Sequence, residues 1–548
     1  MSTQPLLQIE DLVVSYGTAK GLVHAVNNVS LEVHPGQVTA IVGESGSGKT
    51  TTAQAVIGLL ADNAEVDSGD IRFQGRSLVG LSPREWAGIR GARIGLIPQD
   101  PNNSLNPVAT IGASVGEGLA IHKRGNAAER KRRVIELLDR VGIDNPEVRY
   151  RQYPHELSGG MKQRALIAAA IALEPDLIIA DEPTSALDVT VQKIILDLLE
   201  DMQSELGMGI LFITHDLAVA GDRADRIVVM RKGEVRESGY AAAVLTDPKD
   251  PYSRQLLADA PSLTIGDIPA RVPAVDPAIA AEKGPLLVVD KVSKEYARGN
   301  SDPFRAVDEV SFTVLPGTTH AVVGESGSGK TTIGRAISAF TDPTSGSITI
   351  GGTEVTTLGR AERRELRRKV QLVYQNPYSS LDPRQTIGAT IGEPLRNFTS
   401  LSKRQIAGKV EHYLDLVALD PQLASRRPSE LSGGQRQRVA IARAMILEPE
   451  LVVFDEAVSA LDVTVQAQIL RLLDELQREL GLTYVFISHD LAVVREISDT
   501  VSVMSHGRQV ESGPTSEVFN NPRTDFTRQL IDAIPGSRYR GGDLNLGL

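Results

Sequence analysis

A glycine-rich segment occurs twice in this 548-residue chain, and the two copies differ at one position. AIVGESGSGKTT spans Ala40 to Thr51, and AVVGESGSGKTT spans Ala321 to Thr332. Both fit G-x-x-x-x-G-K-[ST], in which glycines let backbone N–H groups close around phosphate at the start of a helix. Each copy follows an apolar run and precedes a helical pattern, which disfavours a purely structural glycine turn. The sequence therefore predicts two phosphate-binding loops.

The rest of the chain repeats around these loops. LSGG, the acidic pair of ADEPTSALD and FDEAVSALD, and the histidine of ITHDLAV and ISHDLAV each recur 274 residues later. A period of this length is far too long for a solenoid repeat. We therefore predict two complete tandem domains, 1–263 and 286–548, each with a C-terminal tail. The Pro-rich segment 264–285 shows no helical or strand periodicity and is predicted to be a linker.

Composition narrows the function classes. The formal net charge of -11 offers no basic surface for nucleic acid over the chain as a whole. The chain has no cysteine, so we expect neither disulfides nor an iron–sulfur cluster. The longest strongly apolar run is 9 residues, Ala165 to Leu173, against roughly 20 for a membrane-spanning helix. We expect a protein without a signal peptide that does not itself span a membrane.

Short apolar runs alternate with helical patterns in both halves. QVTAIV, LIIADE and GILFITH, with their counterparts in the second half, predict buried parallel strands. TTTAQAVIGLL, after the first loop, is predicted to be one helix. Apolar residues recur at helical spacing in the middle of each half: Val134, Leu137, Leu138 and Val141, then Ile406, Val410, Tyr413, Leu414 and Val417. The pattern indicates a mostly parallel α/β sheet with an inserted helical region.

The loops and acidic pairs supply the residue types that nucleotide hydrolysis needs. A loop lysine reaches the β- and γ-phosphates, and the next threonine binds Mg²⁺; these residues are Lys49 and Thr50, and Lys330 and Thr331. Each acidic pair ends a predicted strand, where its first carboxylate would bind Mg²⁺ and its second could accept a proton from water. The pairs are Asp181–Glu182 and Asp455–Glu456. A helix-capping pair is the alternative, and recurrence after a glycine loop favours the catalytic interpretation.

The glycine loop, a glutamine at Gln99 or Gln375, LSGG, the acidic pair, SALD and a strand-end histidine together resemble ATP-binding cassette (ABC) proteins. The resemblance covers nearly the whole chain. It implies two tandem P-loop NTPase domains of ABC type, each with a RecA-like core, a helical subdomain and a small β-rich part. It also implies that the domains face each other head to tail, with each ATP between the loop of one and the LSGG of the other. One loop is then half a site, which accounts for the duplication.

The resemblance implies roles for side chains outside the loops. Glutamines that contact Mg²⁺ and the attacking water are expected at Gln99 and Gln375. Histidines that contact the γ-phosphate are expected at His215 and His489, and the catalytic set is Glu182, His215, Glu456 and His489. Asp188 and Asp462 would lie at the interface between the domains.

The nucleotide would be bound by both loops, both LSGG segments and two tyrosines. Tyr16 and Tyr296 resemble the aromatics that stack on adenine, although either could instead pack within its strand. The LSGG residues expected to cap the γ-phosphate are Ser158 and Gly160, for Lys330, and Ser432 and Gly434, for Lys49. The expected loop contacts are Gly43, Glu44, Ser45, Gly46, Ser47, Gly48, Lys49, Thr50 and Thr51, and Gly324, Glu325, Ser326, Gly327, Ser328, Gly329, Lys330, Thr331 and Thr332.

Two departures from the family pattern fall near these sites. The first LSGG is followed by Met161, where glutamine is usual and where the second copy has Gln435. In the second acidic motif, Ala457 and Val458 replace a Pro–Thr pair. Neither departure removes a lysine, a carboxylate or a histidine of the expected site. We therefore expect two competent sites with a mild kinetic asymmetry.

Further motifs are similar to those of ATPases of the bacterial dipeptide, oligopeptide and nickel importer family. They are QDPNNSLNP and QNPYSSLDP, YPHELSGG and the tail PYSRQLLADAP. That family implies ATP and Mg²⁺ as cofactors, two transmembrane permease subunits and an extracytoplasmic substrate-binding protein as partners, and a peripheral location at the cytoplasmic face of the bacterial inner membrane. Peptide import is expected from family frequency. Dipeptides, oligopeptides, glutathione, nickel chelates and haem stay open as cargo, because the partners select it.

A second function class stays open from the sequence: a soluble tandem ABC ATPase acting on ribosomes or nucleic acid without a permease. Ribosomal members usually have a longer charged linker, and DNA-repair members carry cysteine zinc modules, which this chain lacks. The basic run RAERRELRRK, Arg360 to Lys369, alternates with acids and predicts a solvated helix rather than a nucleic-acid surface.

Overall fold

The structure, a computed structural model, describes residues 4–18, 21–184, 187–263, 275, 282–298, 301–376, 380–459 and 461–536. The chain divides into two compact units: residues 1–265 with the final segment from 535, and residues 266–534. Within the first unit, the Gly536 N–H donates to Asp222 Oδ2 at 2.6 Å. The predicted linker 264–285 lies mostly outside the described residues.

The strands and helices of the first unit follow the alternating order that the sequence predicts. Its strands are β1 (Leu7–Thr18), β2 (Gly21–Val33), β3 (Val38–Val42), β4 (Ala64–Phe73), β5 (Arg76–Ser77), β6 (Ile94–Ile97), β7 (Leu177–Asp181), β8 (Gly209–Thr214), β9 (Arg226–Arg231) and β10 (Glu234–Tyr240). Its helices are α1 (Lys49–Val56), α2 (Pro83–Ile89), α3 (Pro101–Ser104), α4 (Ile111–Ile121), α5 (Ala127–Arg140), α6 (Pro146–Arg149), α7 (Gly159–Ile171), α8 (Val189–Leu206), α9 (Leu217–Arg223), α10 (Ala241–Thr246) and α11 (Pro251–Ala258).

The second unit repeats this order. Its strands are β11 (Leu287–Arg298), β12 (Ser301–Val314), β13 (Thr319–Gly324), β14 (Ser345–Ile350), β15 (Thr353–Glu354), β16 (Val370–Val373), β17 (Leu451–Asp455), β18 (Thr483–Ser488), β19 (Thr500–Ser505) and β20 (Arg508–Pro514). Its helices are α12 (Lys330–Ile337), α13 (Arg360–Lys369), α14 (Ile387–Phe398), α15 (Lys403–Leu416), α16 (Gly433–Met445), α17 (Val463–Leu480), α18 (Leu491–Ile497), α19 (Thr515–Asn520) and α20 (Asp525–Asp532).

Each unit combines a small antiparallel sheet with a larger core sheet in its described residues. The antiparallel sheets have the orders β2-β1-β4-β5 and β12-β11-β14-β15. The core sheets have the orders β10-β9-β3-β8-β7-β6 and β16-β17-β18-β13-β19-β20. The core strands pair in parallel except for the antiparallel hairpins β9–β10 and β19–β20. The predicted α/β class, with a small β-rich part in each domain, is confirmed.

The core sheet brings the ends of three apolar strands to one edge. β7 and β8 are buried at every residue, as expected for parallel strands covered on both faces. Ile213 of β8 pairs with Ile41 of β3 on one side and with Asp181 of β7 on the other. Because the carboxyl ends of parallel strands meet at one edge, the first loop and the first acidic pair become neighbours. The second unit has the same register around Ile487 of β18.

The inserted helical region forms where the apolar spacing predicts it. Helix α5 begins after Asn126, which caps it reciprocally with Glu129. The buried face of α5 contains Val134, Leu137 and Leu138. In the second unit, α15 buries the residues of the matching pattern: Ile406, Val410, Tyr413 and Leu414. Among the described residues, none of the helices has the length and apolar character that crossing a membrane requires.

Two further predictions concern single helices, the one after the first glycine loop and the one formed by the basic run. The helix predicted from TTTAQAVIGLL is too long, because α1 ends at Val56. Gly58 has a φ of 64°, and a Cβ there would lie 2.5 Å from the Trp86 ring, so the chain turns away from the helix at a position that only glycine fits. The basic run does form the predicted helix, α13. It buries Leu366, and Arg363 pairs with Asp342 at 2.7 Å, as expected of a solvated helix face.

Candidate active site

Each glycine loop connects the end of a core strand to the first turn of a helix. In the first unit, Gly48 has a φ of 98° and α1 begins at Lys49. Gly43 has a φ of 149°, and a Cβ there would lie 2.1 Å from the Met230 carbonyl oxygen, so glycine is required. The second unit repeats this arrangement between β13 and α12. Both loops therefore lead into a helix N-terminus, where backbone N–H groups favour an anion.

The two loop lysines are buried and paired with their own loops. Lys49 Nζ donates to the carbonyl oxygens of Gly43 and Glu44 at 2.6 and 2.9 Å. Lys330 makes the equivalent two bonds in the second loop, both at 2.8 Å. A buried ammonium group is costly unless its hydrogens are accepted, so these bonds hold each lysine within its loop. A phosphate oxygen in the loop would offer a charged acceptor to the same ammonium group.

Each loop also buries a serine hydroxyl without a partner among the described residues. Ser47 Oγ and Ser328 Oγ are buried, and neither has a hydrogen-bond partner in the described part of the chain. Leaving a buried hydroxyl unpaired costs about 1–3 kcal/mol. An oxygen of a bound phosphate group would accept from such a hydroxyl. This donor, repeated in both loops beside a buried lysine, fits the phosphates of ATP.

The first carboxylate of each acidic pair lies beside the loop threonine. Thr50 Oγ1 donates to Asp181 Oδ1 at 3.2 Å, and Thr331 Oγ1 donates to Asp455 Oδ1 at 2.9 Å. Burial raises the pKa of Asp181 to about 6, and the charge of the adjacent Glu182 adds to this effect; burial also raises the pKa of Asp455. A hydroxyl and a carboxylate are the hard oxygen ligands that Mg²⁺ prefers, with phosphate oxygens completing the set. The residues therefore fit Mg²⁺ bound together with a nucleotide.

The second carboxylate of the first pair lies between a glutamine and a histidine. Gln99 Nε2 donates to Glu182 Oε2 at 2.8 Å, and His215 Nδ1 lies 3.3 Å from the same oxygen. Burial would raise the pKa of Glu182, but the hydrogen bond and charge of His215 outweigh it and lower this pKa. Burial would lower the pKa of His215, but Glu182 raises it. The carboxylate therefore stays ionised at neutral pH, as a proton acceptor must.

The second unit reproduces this arrangement around Glu456. Its Oε2 lies 2.7 Å from Gln375 Nε2 and 3.4 Å from His489 Nδ1, and its Oε1 lies 3.9 Å from Lys330 Nζ. Glu182 and Glu456 have φ values of 45° and 49°, a left-handed conformation that is uncommon outside glycine. Such strain persists only where the surrounding structure imposes it, and it concentrates at functional sites.

LSGG begins a helix in each unit. The Ser158 hydroxyl accepts from the Met161 N–H at 3.4 Å, and the Ser432 hydroxyl accepts from the Gln435 N–H at 3.3 Å. Gln435 Oε1 also accepts from the Ser432 N–H at 3.0 Å, which completes a capping box. Met161 has no oxygen for the reciprocal bond. The sequence departure at Met161 therefore changes how the first turn of α7 is held.

The glycines of LSGG pack closely on the helix that follows SALD. A Cβ at Gly160 or Gly434 would lie 2.8 or 2.5 Å from a valine side chain of α8 or α17. Asp188 and Asp462 cap these two helices, and each accepts from a valine N–H at 3.1 Å. Within each unit, the final aspartate of SALD thus caps the helix against which LSGG is positioned. The roles of both segments toward the other domain stay predictions.

The two tyrosines proposed to contact adenine differ in their surroundings. Tyr16 is half-buried, and its Oη lies 3.3 Å from Thr51 Oγ1. Tyr296 is 40% exposed, and Lys294 Nζ lies 5.3 Å from its ring centroid. The contact with Thr51 brings Tyr16 beside the first loop, and the exposed ring of Tyr296 is available for stacking.

Sequence reasoning missed a residue that contacts the first loop. Tyr252, on the tail helix α11, accepts a hydrogen bond through Oη from the Glu44 N–H at 3.2 Å. The only sequence signal is a difference between the two tails, because PYSRQ in the first corresponds to DFTRQ in the second. Nothing in either pattern indicates that the tail returns to the glycine loop.

The chain matches two family models. The family model for the ABC transporter matches residues 26–185 and 307–459, which together are more than half of the chain. The chain belongs to the ABC transporter family. It is therefore an ABC-type ATPase with two cassette domains. A second model, for the C-terminal region of oligopeptide/dipeptide transporters, matches residues 510–544.

Several relatives match along almost the entire length of this ABC ATPase. The peptidoglycan transport ATP-binding protein YejF of Agrobacterium fabrum is 45% identical and covers 97% of both chains. The oligopeptide transport ATP-binding protein OppD of Mycobacterium tuberculosis is 41% identical, over 97% of this chain and 98% of its own. The glutathione import ATP-binding protein GsiA of Escherichia coli K12 is 42% identical, over 97% of this chain and 89% of its own. Among solved structures, the post-hydrolysis dimer of the ATP-binding cassette MJ0796 with ADP and Pi is 29% identical, covers 42% of this chain and 98% of its own, and has a TM-score of 0.39.

Proposed function

We propose that this chain hydrolyses ATP to power a bacterial importer of peptides, with dipeptides or oligopeptides as the cargo. The observation that carries the proposal is the tail, which matches the oligopeptide/dipeptide transporter region at residues 510–544. The names of the relatives, which include oligopeptide transport and glutathione import, support it. These names disfavour the alternative of a soluble tandem ATPase acting on ribosomes or nucleic acid.

In this proposal each repeat is one nucleotide-binding domain, 1–263 or 286–548, and 264–285 links them. Each Mg²⁺–ATP would be held by one glycine loop, its threonine and the adjacent aspartate, with LSGG of the other domain capping the γ-phosphate. The glutamate would accept the proton of the attacking water, while histidine and glutamine orient the carboxylate and the water. The contacts of Glu182 and Glu456 within each unit support these roles.

A groove beside the second glutamine supports a membrane partner. It has a volume of about 230 Å³ and is lined by aromatic and charged side chains, among them Phe340, Tyr374 and Arg443. Phe340 is 52% exposed, and Tyr374 directly precedes Gln375. Exposed apolar side chains that form one patch are typical of protein-binding sites, and the ring centroids of Phe340 and Tyr374 lie 6.5 Å apart. We propose that a segment of a transmembrane permease occupies this groove at the cytoplasmic face of the inner membrane, so that its movement reaches Gln375.

The decisive experiment is affinity purification of the tagged full chain from gently solubilised membranes of its own cells. We expect two polytopic permease subunits to copurify, together with a lipid-anchored or periplasmic binding protein. That binding protein can then be screened directly for dipeptides, oligopeptides, glutathione, nickel chelates and haem. Recovery with ribosomal or DNA-repair proteins, and without a membrane partner, would contradict the importer.

A matched pair of variants tests the groove. Phe340→Asp places a charge in the proposed permease site and should abolish copurification of the permeases while ATP hydrolysis persists. Val148→Asp places the same charge on α6, at a side chain that is 59% exposed. This helix is far in sequence from the residues that line the groove. We expect this control to retain the permeases. Equal recovery with both variants would exclude the groove as the binding site.

A further inference from the structure

We infer that Tyr252 of the tail is a positioning residue for the first phosphate loop, and that the second unit lacks this device. The inference rests on the proposed nucleotide site and adds a residue from outside the cassette motifs. Tyr252 is 5% exposed, and its Oη accepts a hydrogen bond from the Glu44 N–H at 3.2 Å. Glu44 is the second residue of the first glycine loop. The tail helix and the loop are thus joined directly.

The same loop residue is bound on its other side by the loop lysine. The Glu44 carbonyl oxygen accepts from Lys49 Nζ at 2.9 Å. Tyr252 and Lys49 therefore hold the N–H and the C=O of one residue, which fixes the orientation of two consecutive peptide groups. A loop that is already ordered loses less conformational freedom when it binds a ligand. Tyr252 should therefore strengthen ATP binding without taking part in the chemical step.

Several contacts hold the Tyr252 ring in place. The Arg231 guanidinium lies 4.5 Å from the ring centroid, a cation–π contact from the end of β9. Asp250 caps α11 and accepts from the Tyr252 N–H at 2.7 Å. Glu237 of β10 accepts from the N–H groups of Lys249 and Asp250 at 2.8 and 3.1 Å. These contacts anchor the start of the tail helix and leave the hydroxyl directed at the loop.

The second unit keeps the anchor but not the contact. Glu511 of β20 accepts from two backbone N–H groups at the start of the tail, as Glu237 does in the first unit. At the repeat distance of 274 residues, Tyr252 corresponds to Phe526 and Arg231 to Ser505. Phenylalanine has no hydroxyl to accept from the loop, and serine cannot make the cation–π contact. The tyrosine hydroxyl that accepts from the loop is therefore specific to the first unit.

Tyr252→Phe tests the inference because it removes only the hydroxyl and introduces the residue of the second unit. The full chain would carry Lys330→Ala, so that the first loop remains the intact one. We expect the KM for ATP to rise about fivefold with kcat unchanged, the effect of losing one hydrogen bond. The matched control is Tyr240→Phe, since Tyr240 is 65% exposed and its ring packs on Arg226. We expect the control to leave KM unchanged.

An unchanged KM for Tyr252→Phe, or a lower kcat at unchanged KM, would overturn the inference. Hydrogen exchange of the Glu44 amide, measured without nucleotide, provides an independent readout. We expect exchange to be at least fivefold faster in Tyr252→Phe than in the parent or in Tyr240→Phe, and equal exchange in all three would overturn the inference. If exchange of the Glu44 amide is faster in Tyr252→Phe but the chain without substitutions neither binds nor hydrolyses ATP, the proposed function fails. The contact between tail and loop would still stand.

Discussion

Glu182 and Glu456 each lie between a glutamine and a histidine, next to a loop lysine, and these contacts keep the carboxylate ionised. Glutamine at either position preserves size and hydrogen bonding but cannot accept a proton. We therefore expect single-turnover hydrolysis at that site to fall roughly 10²–10⁴-fold while ATP binding persists. The first site is measured with Lys330→Ala present and the second with Lys49→Ala present. The control is Glu147→Gln, an exposed glutamate outside the site. An unchanged rate for Glu182→Gln or Glu456→Gln would show that its carboxylate is not the base.

His320 gives the second unit a pH dependence that the first unit lacks at Thr39, the equivalent residue because both lie 10 residues before a loop lysine. Its Nδ1 and Nε2 lie 2.8 Å from Thr500 Oγ1 and 3.0 Å from Ser502 Oγ, and burial lowers its pKa to about 3. The unfolded chain binds the proton below about pH 6.5, whereas the folded chain stays neutral down to about pH 3. The contribution of His320 to the free energy of unfolding should therefore fall by about 2 kcal/mol from pH 7 to pH 5.

Comparing the parent with His320→Thr by urea unfolding at pH 7 and pH 5 isolates this contribution. The variant carries the residue of the first unit, so its loss of stability on acidification should be smaller by about 2 kcal/mol. Other titrating groups affect both proteins alike and cancel in the difference. Equal losses in the two proteins would show that His320 does not stay neutral in the folded state.

The LSGG helices α7 and α16 differ in their capping. Gln435 completes a reciprocal cap on Ser432, and Met161 cannot do so on Ser158. We expect Met161→Gln to raise the free energy of unfolding by about 0.5–1 kcal/mol and Gln435→Met to lower it by a similar amount. Chemical unfolding of the full chain measures both changes. A lower free energy of unfolding for Met161→Gln would show that hydrophobic contacts of Met161, rather than capping, control the stability of this turn.

The elements also show how far the sequence could predict the structure. Apolar runs indicate buried strands, and apolar residues at helical spacing indicate a buried helix face. The parallel strands and the helical insert were therefore predictable. Residues in the left-handed conformation could not be predicted in this way, because distant contacts impose that conformation. Gly58 ends α1 against Trp86, and Glu182 follows β7 beside His215. The contact between Tyr252 and Glu44 joins residues 208 positions apart and leaves no periodic signal. Local patterns could indicate the elements and the loops, but not the contacts that adjust them.

Duplication of the sequence predicted two copies of one architecture, and the two sheets of the first unit have the same strand orders as those of the second. Among the many differences between the copies, those that bear on a site or a core include single positions: Met161, Phe526, His320, and the pair Ala457 and Val458. Each changes a hydrogen bond or a packing contact without removing a loop lysine or a catalytic carboxylate. The two sites should therefore share their chemistry and differ in affinity and stability, which agrees with the expected mild kinetic asymmetry.

The proposal that each ATP lies between the loop of one domain and LSGG of the other can be tested with paired substitutions. Aspartate at Ser158 or Ser432 keeps an N-cap but places a negative charge where a γ-phosphate would bind. If the sites are composite, Lys49→Ala with Ser432→Asp damages one site and should match Lys49→Ala alone. Lys49→Ala with Ser158→Asp damages both sites and should reduce hydrolysis to background.

Steady-state hydrolysis of these chains at equal concentration decides between the two arrangements. The matched controls carry threonine in place of aspartate, which keeps the cap without adding charge. If instead each ATP were bound by the loop and LSGG of the same domain, the two results would exchange, and Lys49→Ala with Ser432→Asp would be the inactive chain. Because the two arrangements predict opposite chains to be inactive, one assay determines whether the duplicated loop is half of a site or a complete one.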